Sequence, residues 1–140
     1  MIKDVIITVI GMQSVDDESD KVELTTEGRF GIKDEKYFLS YEEGQLLDTG
    51  KVKTKIWINS PDSVVLQRNG EINSRMEITK GQRTTCFYST PIGELNMGIY
   101  GETIDVNLNE KGGSLTLVYN LDSDLKLIGS NTVKITVKEV

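Results

Sequence analysis

The sequence predicts an all-β fold, an antiparallel up-and-down β-barrel of about eight to ten strands. Three observations predict it. First, apolar and polar residues alternate along most of the chain: Ile104, Val106 and Leu108 are interleaved with Asp105, Asn107 and Asn109, and Val133, Ile135 and Val137 with Lys134, Thr136 and Lys138. A period of two gives a segment one dry and one wet face, which is the pattern of a strand. Second, turn residues separate these segments about every ten positions. Third, almost nothing repeats at the helical period. Consecutive strands joined by short turns pair in chain order and close on themselves; two packed sheets are the alternative architecture.

Length and composition bound the rest. The chain has 140 residues, of which 37% are hydrophobic and 27% charged, with two prolines and no low-complexity stretch. It reads as a single domain over residues 1–140, large enough to build its own core. The net charge of −6 argues against a nucleic-acid binder or an anionic-membrane binder, both of which need a basic field. The run Val5-Ile6-Ile7-Thr8-Val9-Ile10 is too short to span a membrane, follows Asp4 and precedes no small-residue cleavage site. One cysteine cannot form a disulfide within the chain, which fits a reducing cytoplasm.

The elements follow in order. Val5–Ile10 reads as a buried first strand, and Asp16-Asp17-Glu18-Ser19-Asp20 as a charged loop after it. With Lys33-Asp34-Glu35-Lys36 as a loop, Ile32 falls opposite Tyr37, Phe30 opposite Leu39 and Gly28 opposite Tyr41, whose ring would cover the bare glycine backbone. Val52–Ile58 is the next strand. Side-chain parity then selects a three-residue loop Arg68-Asn69-Gly70, with Gly70 at positive φ and Leu66 opposite Ile72, because a two-residue turn would place apolar residues on the polar face. A hairpin about Thr90-Pro91-Ile92-Gly93 sets Thr84, Cys86 and Tyr88 opposite Ile99, Met97 and Leu95. Glu110-Lys111-Gly112-Gly113 closes the following hairpin, bringing Leu108 near Leu115. The last strand runs from Leu125 to Val140 with an irregularity at Gly129-Ser130-Asn131.

Chemistry is scarce in this pattern. The chain has no histidine, so it lacks both the usual general base near neutral pH and the commonest transition-metal ligand. It has no thiolate cluster and no phosphate-cradling glycine loop. Glu42 and Glu43 are adjacent and, on a strand, point to opposite faces, so they do not form an acid–base dyad. Asp16, Asp17, Glu18 and Asp20 lack the ligand spacing and central glycine of a calcium loop. Cys86 reads as a small buried hydrophobe. No catalytic residue, metal site or cofactor is expected.

What remains is the inner face. Tyr41, Ser74, Met76, Tyr88, Met97 and Tyr119 all project inward, and they are either core or the lining of a ligand pocket. Thr26 and Thr84 join them, and Gly28 leaves room on the same side. The reading favoured here is a non-enzymatic barrel that binds a small apolar or amphipathic molecule through those six residues. The alternative is an interaction module with a solid core. For that, the outward Ile6, Phe38, Trp57 and Phe87 would supply a surface for a protein partner or a second copy of the chain.

Four segments together resemble one family: Asp4–Gly11, Leu39–Glu43, Thr90–Gly93 followed by Gly98, and Gly112–Tyr119. Their order and spacing are similar to the YwiB-like proteins, a bacterial group of uncharacterised small domains placed with the lipocalin-like (calycin) β-barrels. The resemblance runs over essentially the whole chain. It implies a closed barrel in a bacterial cytoplasm and implies no activity. Trp57 lies mid-chain, away from the Gly-x-Trp signature of true lipocalins near their first strand, so no lipocalin ligand is carried over.

Overall fold

The computed structural model describes residues 2–15, 18–42, 52–70, 73–90, 93–123 and 126–140. They form ten strands: β1 (Ile2–Val15), β2 (Glu18–Lys33), β3 (Lys36–Glu42), β4 (Val52–Ser60), β5 (Ser63–Gly70), β6 (Asn73–Thr79), β7 (Arg83–Thr90), β8 (Gly93–Asn109), β9 (Gly112–Ser123) and β10 (Lys126–Glu139). Each is antiparallel to its neighbours in the chain, and β1 also pairs with β10, so the sheet closes into an up-and-down barrel rather than two packed layers. The period-two pattern sets the inside. Val5, Ile7, Ile56, Met76, Leu117 and Ile135 have no exposed surface, and burying each such side chain contributes about 1.5–3 kcal/mol.

The hairpins refine the sequence reading. Between β2 and β3 the expected partners are found: Ile32 with Tyr37, Phe30 with Leu39 and Gly28 with Tyr41. The turn is tighter than a four-residue loop, because Lys33 and Lys36 also pair, which leaves Asp34 and Glu35 at φ 53° and 65°. Over Gly28, the side-chain atoms nearest to where a Cβ would stand belong to Ile7, not to the Tyr41 ring. Between β7 and β8 the register is as expected, with Cys86 opposite Met97. Between β8 and β9 the turn is only Glu110-Lys111, so Leu108 meets Gly113, and Leu115 faces Val106 instead. The cause is local: Gly112 and Gly113 hold φ 123° and 131°, and a Cβ on either would run into the carbonyl of Val137 or Asn107. Only glycine serves there.

Two expectations are corrected. Glu18, Ser19 and Asp20, expected in a charged loop, are strand residues paired with Val15, Ser14 and Gln13, and the rest of that expected loop, Asp16 and Asp17, lies outside the described residues. The three-residue loop at Arg68-Asn69-Gly70 does not form. Leu66 pairs with Met76 and Arg68 with Ser74, so β5 continues through Gly70 and the register differs from the expected one by four residues. Gly70 does hold a positive φ, 143°. The Asn73 side chain takes the place of a strand partner there, donating from Nδ2 to the Gly70 carbonyl at 3.0 Å and accepting from the Gly70 amide at 3.3 Å. A shift by an even number preserves parity, so Val64, Leu66, Met76 and Ile78 still share the buried face.

Among the described residues the ladder is irregular on β4, β8 and β10, and the pairing is thinnest at the seam between β6 and β7, which share only the pairs Asn73–Ser89 and Ser74–Tyr88. Further along, the Thr84 hydroxyl donates to the Glu77 carbonyl at 2.5 Å and stands in for a ladder bond. β8 is irregular between Gly101 and Thr103, and there Gly101 exchanges backbone bonds with Gly81 and Gln82 beyond the end of β6. β10 carries the irregularity expected near Gly129, a register shift between Leu127 and Gly129. No helix among the described residues is long and apolar enough to cross a membrane.

Candidate ligand site on the inner wall

Tyr41, Ser74, Met76 and Tyr119 are buried on the inner wall at 4%, 7%, 0% and 5% exposure. Met97 is half-buried opposite Cys86. The backbone of Tyr88 pairs with Ser74 and Leu95, and its side chain lies outside the described residues. Tyr41 and Ser74 belong to one transverse row, because Tyr41 pairs with Thr54, Thr54 with Arg68 and Arg68 with Ser74. Directly opposed side chains on one face stand about 5 Å apart at Cβ. Four polar side chains therefore lie next to each other on the inner wall, at the end of the barrel where β3 and β5 finish.

Two of those four were not among the expected site residues. Thr54, with no exposed surface, alternates with Val52 and Ile56 and was legible by parity. Arg68 is half-buried. It was hidden by the loop reading, and the continuation of β5 turns it inward.

The site holds polar atoms that the protein leaves unsatisfied. Among the described residues, Ser74 Oγ and Asn131 Nδ2 are buried without a hydrogen-bond partner. Asn131 lies opposite Tyr119 on β9 and Gln13 on β1. A buried unpaired polar group costs about 1–3 kcal/mol. Thr84 is different, since its hydroxyl is engaged at the seam. Cys86 is 5% exposed, and burial pushes its thiol pKa up, which leaves little thiolate at neutral pH.

The two ends of the barrel differ. At the end away from the polar row, Lys3 Nζ donates to the Glu110 carbonyl at 2.6 Å and to Glu139 Oε1 at 2.9 Å. Beneath it the rings of Phe30 and Tyr37 stack with centroids 5.7 Å apart and planes within 5°. Lys3, Glu110, Phe30 and Tyr37 line a depression of about 230 Å³, below the usual range for ligand pockets, which starts at about 300 Å³. Where β3 ends beside β2, a cleft of about 250 Å³, also smaller than that range, reaches Tyr41 of the polar row and is lined as well by Thr26, Glu27, Gly28, Glu42 and Lys53. Tyr41 thus borders both the core and open solvent.

On the outer face, Phe38 and Trp57 pack with ring centroids 4.4 Å apart, Lys33 Nζ lies 5.7 Å from the Trp57 ring centroid, and Val65 on the neighbouring strand is 4% exposed. The expected cluster of four outward residues is reduced to this pair: Ile6 is half-buried on β1, and Phe87 is 64% exposed on β7. Glu42 is exposed and Glu43 lies outside the described residues. No group of three or more His, Cys, Asp or Glu side chains suited to a metal ion occurs among the described residues.

Comparison with known proteins agrees with the barrel. Residues 7–135 match the model of a family described as Domain of unknown function (DUF1934). The chain is 29% identical over 106 residues to the uncharacterized beta-barrel protein YwiB of Bacillus subtilis (strain 168), which covers 76% of this chain and 72% of that one. The crystal structure of ywiB protein from Bacillus subtilis superposes with a TM-score of 0.89 at 24% identity, covering 99% of this chain and 93% of that one.

Proposed function

This chain belongs to the DUF1934 family, domains of unknown function, and from that starting point we propose that it is a non-catalytic β-barrel that binds a small amphipathic molecule on its inner wall. The single observation that carries this reading is the buried Ser74 hydroxyl, which lacks a partner and stands in a row of inward polar side chains. A wall serving only to pack would hold alanine or valine there without the desolvation cost. A ligand that supplies a hydrogen bond removes that cost when bound. Tyr41, Thr54, Arg68 and Ser74 would meet its polar end, and Met76 and Met97, whose flexible thioethers adapt to irregular shapes, would meet its apolar part. The absence of histidine and the burial of the one cysteine favour binding over catalysis, and the single thiol suits a reducing compartment. A second reading, an interaction module with a solid core, draws on the exposed Phe87 on the outer face of β7.

Nile red, a neutral apolar dye, separates the two. Under the binding reading it gains fluorescence with the native protein, and Ser74→Phe abolishes the gain while the protein stays folded. Under the solid-core reading the dye does not bind at all, and Ser74→Phe overpacks the interior at a cost of about 1–3 kcal/mol.

A further inference from the structure

We propose that the molecule held on the inner wall carries an oxyanion head group, a carboxylate or a phosphate, and that Arg68 is the residue that binds it. This rests on the ligand-binding reading above and gives the ligand its chemical class.

The one formal charge in the polar row is the positive charge of Arg68. At this end of β3, β4, β5 and β6 the inward positions carry the hydroxyls of Tyr41, Thr54 and Ser74 and the guanidinium of Arg68, and none of these four holds a carboxylate. Asn131 adds a buried amide NH2 without a partner elsewhere on the same inner surface. A guanidinium remains charged at any physiological pH and offers five N–H donors in a planar fork that fits two oxygens of a carboxylate or phosphate. Its capacity exceeds what one protein partner uses, so a head group does not require an unengaged arginine. Burial strengthens the contact, since the attraction between Arg68 and an anion is screened less between barrel walls than in water. Ser74, directly opposite Arg68 on β6 and 7% exposed, is placed to donate its otherwise unused hydroxyl to the same oxygens.

The chain as a whole carries a net charge of −6, so a general electrostatic field does not draw anions in. A preference for an anionic ligand would therefore have to be local. At the opposite end the inward cation is Lys3, a point charge without the planar fork, which pairs with Glu139 at 2.9 Å.

Isothermal titration with decanoate, decyl phosphate, decanol and decyltrimethylammonium, each below its micelle concentration, tests this with one chain length and four head groups. Decanoate or decyl phosphate is expected to bind at least about tenfold more tightly than decanol, the factor worth one charge-assisted hydrogen bond. The cation is expected to bind more weakly than decanol. The tighter of the two anions identifies the head group. Arg68→Gln is expected to abolish the preference, bringing the anions and decanol to similar affinities, with an amide NMR spectrum recording the fold. Where that variant does not fold, Arg68→Lys, which keeps the charge without the planar fork, is expected to narrow the preference. Equal affinities for decanol and both anions in the native protein would overturn the inference while leaving the ligand site standing, as would a preference unchanged by either Arg68 substitution. Failure of all four compounds to bind would overturn the ligand site itself.

Discussion

Asp34 and Glu35 occupy the left-handed region together, at φ 53° and 65°, in the two-residue turn that fixes the register of β2 against β3. Residues with a Cβ are strained there, and Asp-Gly is the usual solution. Glu35→Gly should raise the unfolding free energy by about 1 kcal/mol in urea titrations; a loss of stability would mean that the turn is held by something other than its backbone geometry. Cys86 gives a pH-dependent counterpart. Burial favours its neutral thiol, so its folded pKa lies above the unfolded one. Its stabilising contribution is complete below the ordinary thiol range and is lost as pH rises through the folded value. Native protein should therefore lose stability more steeply than Cys86→Ala in alkaline solution, and a thiol reagent at neutral pH should label Cys86 only on unfolding. Rapid labelling of folded protein would contradict both its burial and its position opposite Met97. The inward position of Cys86 was legible from sequence alone, because alternation names the buried face. The Arg68 side chain was not, since a glycine two positions later gave an equally good turn and nothing local signalled that Asn73 would satisfy the Gly70 backbone.

At the level of strands, faces were easier to read than registers. The hairpins about Lys33–Lys36 and Thr90–Gly93 pair as expected, while those after β5 and β8 are displaced by four and two residues. Both displacements are even. Hydrophobic burial forbids odd slips but discriminates weakly among even ones, and turn chemistry decides between them. At the first displaced turn the Asn73 side chain decides it, and at the second the paired glycines Gly112 and Gly113, which enter β9. The seam between β6 and β7 was not visible in the sequence, because it depends on β8 bending at Gly101 and on a side-chain bond replacing the ladder. Thr84→Val, which keeps the shape and removes the hydroxyl, should cost about 0.5–1.5 kcal/mol. It should also speed hydrogen exchange at amides of β6 and β7 ahead of those in β1 and β10. Uniform exchange throughout the barrel would show that the Thr84–Glu77 contact does not hold the seam.

As a whole molecule, the protein closes ten strands through the pairing of β1 with β10. The alternation and the turn spacing specify such a barrel, but the closing pair itself joins the two ends of the chain and is written in no local pattern. The candidate site has the same character. Parity named Tyr41 and Ser74, whereas the row Tyr41, Thr54, Arg68, Ser74 exists only once four strands are in register. Closure also makes the two ends unequal, one capped by the Lys3–Glu139 pair over stacked Phe30 and Tyr37 and the other bordered by the cleft at Tyr41. The central claim is that the interior holds a small molecule, and native mass spectrometry of protein purified from its own host tests it most directly. The expected result is the mass of the folded chain, or of its oligomer, plus one defined small-molecule mass per barrel that is released on unfolding and missing from Ser74→Phe. Bare chain from both native and Ser74→Phe preparations would contradict it.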